Sequence, residues 1–472
     1  MTHTADFLPG HAFTTHQLAF GDVTVVAITD EGLGNTSWVA RVGDEAFVVD
    51  PERDPVPYQT VATTLGVDIG FSADTHLHAD FVTGTPELGA AGARPVASAA
   101  GKSTWPHHGV SPGDVLDLTV DGWALQVLGT PGHTPEHVAY LLTDDDGPKA
   151  VFTGGSLLVG AVARTDLIDP DDTEALTRAL YRSIHRELLA LPDDVLVLPT
   201  HGAGSFCTAA GGEQRWTTVG DERRANPLMS APDEDTFVRW VLDPLGSYPP
   251  YFLRLRDVNR LGPRIYGALP SLSPLSAEQV VEQCDRGAVV VDVRPVACYA
   301  AGHVAGSLSD SLRPQFASWL GWVVPDSATP LVFVTDEHTD RRELVRQCLN
   351  IGYENLAGEL TGGIDGWRAA GGDVASTTLV DAGELDGRTV VDVRQRNEFI
   401  TGHVPGAESM ELGALGDERG ALPDGPLVLM CGHGERAATA ASLLEAAGRS
   451  GLAVAVGGPD GWAEATGQQL AR

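Results

Sequence analysis

The chain reads as a multidomain α/β protein, and three observations predict this. Its 472 residues exceed one ordinary core, so two to four domains are expected. Over residues 1–235, short apolar runs such as VTVVAITD, EAFVVD, WALQVLGT and DVLVLPTH alternate with Gly/Pro/Asp turns. The helical pattern TEALTRALYRSIHRELLALP separates some of these runs, which gives mixed α/β structure with a substantial sheet. Finally, the last part of the chain repeats itself. VVVDVRPVACYAAGHVAGSL aligns with TVVDVRQRNEFITGHVPGAE, setting Asp292, Arg294, His303 and Gly306 each 100 positions before Asp392, Arg394, His403 and Gly406.

Each copy runs strand, helix, strand, helix, and closes on a similar phrase, GGIDGW to Trp367 and GGPDGW to Trp462. Two tandem domains, 274–375 and 376–472, follow from this. Between residue 235 and the first copy the character changes. The stretch DPLGSYPPYFLRLRDVNRLGPRIYGALPSLSP is rich in proline and aromatics and only weakly periodic. Most linkers are more polar, so 236–273 is expected to be an ordered linker packed between domains.

Charge and cysteine content exclude several functions. A formal net charge of -33 repels phosphate backbones and anionic membranes, so neither nucleic acid nor membrane is expected as a partner. No run approaches the ~18 apolar residues of a membrane span, and the N-terminus lacks a basic-then-apolar leader. Cys207, Cys284, Cys298, Cys348 and Cys431 form an odd set without close pairing, which fits free thiols in a reducing cytoplasm. A homo-oligomer is expected.

Three histidine-bearing stretches directly follow strand-like runs: DTHLHAD with His76, His78 and Asp80, GTPGHTPEH with His133 and His137, and LPTHG with His201. Loops at one sheet edge can gather such ligands, and imidazoles with a carboxylate suit Zn, Fe or Mn. His137 is read as structural. In order, THLHAD, GTPGHTPEH, VFTGG with RTDL, and LPTHG resemble the metallo-β-lactamase superfamily, nearest its persulfide dioxygenase branch, with glyoxalase II more distant. The resemblance implies an αββα sandwich over roughly residues 13–207, with metal at one sheet edge.

Two departures narrow that implication. Phe81 stands where binuclear relatives carry a second-site histidine, and Gly155 where the family has a metal-binding aspartate. One metal at most is expected, Fe(II) before Zn. His76 and His133 match two of the branch's ligands, and the third is open. His78 supplies a nitrogen, Asp80 swings in as the carboxylate, or no metal is held; Asp80 and His201 are what remains of the second site. The resemblance also implies Arg164 as a fixed cation for an anionic thiol substrate and Tyr181 as a phenol near the metal; the alternatives are that Arg164 pairs with Asp166 and that Tyr181 is a half-buried helix residue. Cys207, six residues after His201, either carries a persulfide near the metal or is an inert buried thiol.

The stretch MCGHGERAATAASLLEAAG follows the strand run PLVLM and enters an Ala-rich helix. Backbone N–H groups at the start of that helix would stabilise a thiolate at Cys431, and Arg436 adds a cation. Glycines 432 and 434 let the loop curl. With VVDVR, GHVPGA and GGPDGW, this domain resembles a rhodanese. The resemblance implies a persulfide on Cys431, with Arg436 in the catalytic loop and Gly432, His433, Gly434 and Glu435 around the substrate. In the first copy the nucleophile's place falls near Asp336, a residue that cannot take up sulfane sulfur, so that copy is read as inactive.

The domain order is similar to fused persulfide dioxygenase–sulfurtransferases of sulfide detoxification. It implies low-molecular-weight persulfides such as glutathione persulfide, O2, and sulfite or thiosulfate as small-molecule partners. The alternative is a sulfurtransferase whose first domain is only a binding module.

Overall fold

The computed structural model describes every residue except 1, 4–6, 9–12, 22, 119, 121, 209–213 and 386. It divides into two compact units, 1–269 with 349–352, and 270–348 with 353–472. No helix among the described residues is long and apolar enough to cross a membrane.

The first unit stacks two sheets. One has eight strands in chain order, from Thr2–His3 to His108–Val110; the other orders six strands from Thr217–Thr218 to Val115–Asp117. Strand alternation sends Val25, Ala27, Trp38 and Phe47 from the first sheet against Val127, Tyr140 and Phe152 from the second, closing a dry core between them. Outward faces are covered by helices. Val56–Leu65 buries Tyr58 and Val61 on one side; Thr173–Ser183 and Glu234–Leu242 bury Leu180 and Phe237 on the other. The result is the expected αββα sandwich.

Of the 236–273 segment, the residues through Leu269 cluster with the first unit. It contains the helix Phe252–Leu261, whose Phe252, Leu255 and Asn259 are buried. Weak periodicity concealed this helix because one of its buried positions is the polar Asn259.

The second unit holds two five-stranded parallel sheets with the same topology. Taking strands in chain order, both read first, fifth, fourth, second, third. The repeated residues do the same work in each copy. Arg294 and Arg394 each grip Asp292 or Asp392 two residues back and donate to the Gly302 or Gly402 carbonyl. His303 stacks on Tyr299, and His403 on Phe399, with centroids 3.8 and 3.7 Å apart. These residues are framework.

Candidate metal centre and cysteine loop

Every candidate ligand in the first unit lies just past a strand end. His76 and His78 follow Asp68–Ala73, His133 follows Ala124–Gly129, and His201 follows Leu196–Pro199. All four imidazoles are buried, and hydrogen bonding fixes which nitrogen of each is free. The Thr75 hydroxyl donates to Asp50 at 2.7 Å, so it accepts from His76 Nδ1 at 2.8 Å. His133 Nδ1 donates to the Arg164 carbonyl at 2.6 Å, and His201 Nδ1 to Asn35 Oδ1 at 2.9 Å. Each of these rings is left with a lone pair on Nε2. His78 is reversed: Nε2 bonds Asp50 at 3.1 Å, while buried Nδ1 has no partner among the described residues.

These free nitrogens converge. His76 Nε2 and His201 Nε2 are 3.4 Å apart, with a lone pair on each and no proton between them. Two nitrogens bound at ~2.05 Å to one tetrahedral ion stand about 3.3–3.4 Å apart. Ligand atoms of His76, His78 and His201 lie within 4.8 Å of one another, as do those of His133, His201 and Cys207. The donor set therefore fits a metal ion, and the orphaned His78 Nδ1 is explained by one.

Electrostatics agree. Burial, reinforced by neighbouring imidazoles, holds His76 well below the usual histidine range and lowers His133 to about 3, so both rings are neutral donors at pH 7. Burial works against charge at His78, but the Asp50 carboxylate outweighs it and raises the pKa. The field that favours a proton there also favours a metal cation at Nδ1.

The two departures in the motif take physical form. Phe81 is fully buried, with its ring stacked on His78 at 4.2 Å, so it fills space and orients a ligand. A Cβ at Gly155 would fall 2.4 Å from His133 Cδ2. The His133 ring thus occupies volume that an aspartate at 155 would need. His137 is structural: its Nδ1 meets Thr130 Oγ1, and its Nε2 accepts from the Gly155 N–H at 3.0 Å. Asp80 Oδ2 accepts from Asn35 Nδ2 at 2.8 Å and lies 3.3 Å from His201 Nδ1, so this carboxylate orients His201.

Arg164 and Tyr181 take the alternative positions that the sequence left open. Arg164 is buried, and its guanidinium makes two bonds to Asp166 and one each to the Phe206 and Gly246 carbonyls, with Tyr248 stacked at 4.5 Å. Tyr181 packs on His185 and Phe237, among the helices covering the second sheet, where it serves the core.

Four residues that the motifs did not single out support the centre. Asp50 accepts from His78, from the backbone and hydroxyl of Thr75, and from the Thr200 hydroxyl. Asn35 bridges Asp80 and His201. Asn259 donates to the His78 and Phe81 carbonyls and accepts from the Thr83 N–H, holding the ligand loop from the neighbouring helix. Glu136 accepts from the Leu77 N–H and pairs with Arg256. The only advance signal was an acid ending the strand run EAFVVD.

In the second unit, Cys431 follows the strand Leu427–Met430 and precedes the helix Glu435–Ala446. The Gly434 N–H points at its sulfur, 3.1 Å away, and Gly434 holds φ +118°. Gly458 explains part of the closing phrase. With φ +59°, it lets the backbone come so close that a Cβ would sit 2.3 Å from the Gly432 carbonyl oxygen. Of the expected substrate-side residues, His433 is exposed, while Gly432 and Glu435 are half-buried at the loop.

The first copy differs from its expected register. Asp292 pairs with Val334 as Asp392 pairs with Met430, so Thr335, not Asp336, takes the place of Cys431. From Thr335 to Arg341 the loop is one residue longer than from Cys431 to Arg436, while the strand ends LVFVT and LVLMC align without a gap. The Thr335 hydroxyl donates to Glu359 at 2.6 Å and accepts from Arg341 at 3.1 Å. An alcohol there cannot carry sulfane sulfur as a thiol does.

Two segments, 276–370 and 377–465, match the rhodanese-like domain family. The human mitochondrial persulfide dioxygenase ETHE1 is 29% identical over 41% of this chain and 70% of its own length. A hydroxyacylglutathione hydrolase from a Synechococcus strain is 34% identical over 41% of this chain and 73% of its own length. The crystal structure of a Staphylococcus aureus metallo-β-lactamase aligns with TM-score 0.61 at 26% identity, covering 72% of this chain and 99% of that one. With the sandwich, the histidine cluster and the repeated sheets in view, this chain belongs to the metallo-β-lactamase superfamily, in a fused form carrying two rhodanese-like domains.

Proposed function

We propose that the chain oxidises a low-molecular-weight persulfide such as glutathione persulfide at the histidine centre and carries sulfane sulfur on Cys431. The observation that carries this reading is the pair of buried donor groups sharing His201, one with His76 and His78 and one with His133, in a chain that also holds the Cys431 loop. Similarity to a persulfide dioxygenase supports it. A hydrolase of the hydroxyacylglutathione type needs a second metal, and the Phe81 ring fills part of that place.

Iron(II) bound among these nitrogens would supply O2 activation. The balanced reaction takes RSSH, O2 and H2O to RSH, sulfite and two protons. What the chain contributes is position and protonation: Asp50, Asn35 and the Arg164 carbonyl hold three imidazoles with lone pairs inward. On the second unit, the Cys431 thiolate takes the outer sulfur of a persulfide and releases RS⁻; sulfite then takes that sulfur as thiosulfate and restores the thiolate. The Gly434 N–H stabilises the sulfur anion between these steps. Sulfide detoxification in the cytoplasm is the role these reactions serve.

Gly155 favours a second reading, a sulfurtransferase whose first domain only binds substrate or partner. Iron content and persulfide-dependent O2 uptake separate the two. Near-stoichiometric iron with uptake on glutathione persulfide supports the oxygenase. Absence of both, with Cys431-dependent transfer intact, leaves the sulfurtransferase.

A further inference from the structure

The missing aspartate leaves the centre without its negative ligand, and the fold cannot simply return one at 155, where the His133 ring sits. Asp80 uses Oδ2 on Asn35 and beside His201 Nδ1, while its buried Oδ1 has no hydrogen-bond partner among the described residues. Another anion-forming donor does reach the site. Cys207 is fully buried, and its sulfur lies within 4.8 Å of ring nitrogens of both His133 and His201. Its placement is built in. The Arg164 carbonyl accepts from His133 Nδ1, while the Arg164 N–H donates to the Cys207 carbonyl at 2.8 Å. One residue thus ties the histidine and the cysteine into a single unit. The Cys207 N–H is held in turn by Ser205 Oγ at 3.1 Å.

We propose that Cys207 is a metal ligand of the histidine centre, its thiolate, beside His133 and His201, replacing the carboxylate absent at 155. This rests on the metal-centre reading above and deepens it. Binding replaces the thiol proton, which leaves to solvent, by the metal ion. A thiolate suits Zn and Fe, and it shifts the site towards softer metals than a carboxylate would select.

The test uses the full-length chain, stripped with chelator and loaded with one equivalent of Co(II). The expected result is a thiolate-to-cobalt charge-transfer band in the near ultraviolet, with one sulfur scatterer in the cobalt X-ray absorption spectrum. Cys207→Ser should lose the band and weaken cobalt binding at least about tenfold. Cys207→Asp should regain affinity without the band, and Cys431→Ser should leave the band unchanged. Cobalt bound through nitrogen and oxygen alone in the unaltered chain overturns the Cys207 assignment but leaves the metal centre standing. No cobalt bound overturns both. The unaltered spectrum decides the matter even if Cys207→Ser fails to fold.

Discussion

The Arg436 guanidinium makes two hydrogen bonds to the Glu398 carboxylate, at 2.6 and 2.8 Å, which fixes its plane beside the Cys431 loop. Its other face meets the Trp319 ring, 5.2 Å away, contributed by the first rhodanese-like copy. The first copy therefore supplies part of the setting of the Cys431 loop in the second. Arg436→Lys keeps the charge but cannot make the forked pair, so kcat/KM for thiosulfate-dependent transfer should fall about 10–100-fold. Trp319→Ala should raise KM more than it lowers kcat. Steady-state kinetics on both variants check this.

Gly458 lets the backbone of the closing phrase press against the Cys431–Gly432 carbonyls. Gly458→Ala places a methyl in that contact and strains a left-handed φ. Transfer activity should drop at least tenfold, roughly the effect of a 1 Å misplacement or less. Cobalt binding in the first unit should be unchanged, which absorption titration reads directly.

Asn259 satisfies two carbonyls and one N–H of the loop bearing His78 and Phe81. Asn259→Ala leaves all three groups buried and unpaired, at a cost of about 2–4 kcal/mol. Urea unfolding should show that loss, and metal affinity should fall with it. An unchanged midpoint would mean that the helix Phe252–Leu261 does not support the centre.

Acid should empty and loosen the first unit. His76, His133 and His137 all have native pKa values below the ordinary 6.5, with His133 at about 3. Between pH 3 and 6.5 the unfolded chain binds protons that these native rings do not, so stability rises with pH in that window. Each such group contributes up to about 1.4 kcal/mol per pH unit. His78, raised by Asp50, runs in the opposite sense. The net expectation is progressive destabilisation and metal release as pH falls below about 6.5, followed by denaturation midpoints and metal analysis across pH.

The ligand loops and the repeat were legible because each is a short local pattern at a strand end. What was not legible comes from distance. Asp50, Asn35 and Asn259 reach the centre from 28, 45 and 181 positions away from their partners, and no local motif marks them. The Asp166 partner of Arg164 stood two residues along, but Tyr248 and the Gly246 carbonyl close the cage from far down the chain. Strand pairing sets Thr335, the residue next to the expected Asp336, at the place of Cys431, a register that the ungapped runs LVFVT and LVLMC also carry. A carboxylate also changed seats between the copies: Glu398 holds Arg436, while Glu359 on the Leu356–Leu360 strand holds Arg341 and position 298 is cysteine.

The contact between Gly155 and His133 has an evolutionary consequence. With the imidazole in that volume, a mutation placing aspartate at 155 meets the ring at 2.4 Å and is unfavourable by itself. The reverse path then needs two coordinated changes, one to withdraw the ring and one to return the acid. Such a step acts as a ratchet. A lineage that has passed it is confined to the ligands it still has, and selection on sulfur chemistry must act through those.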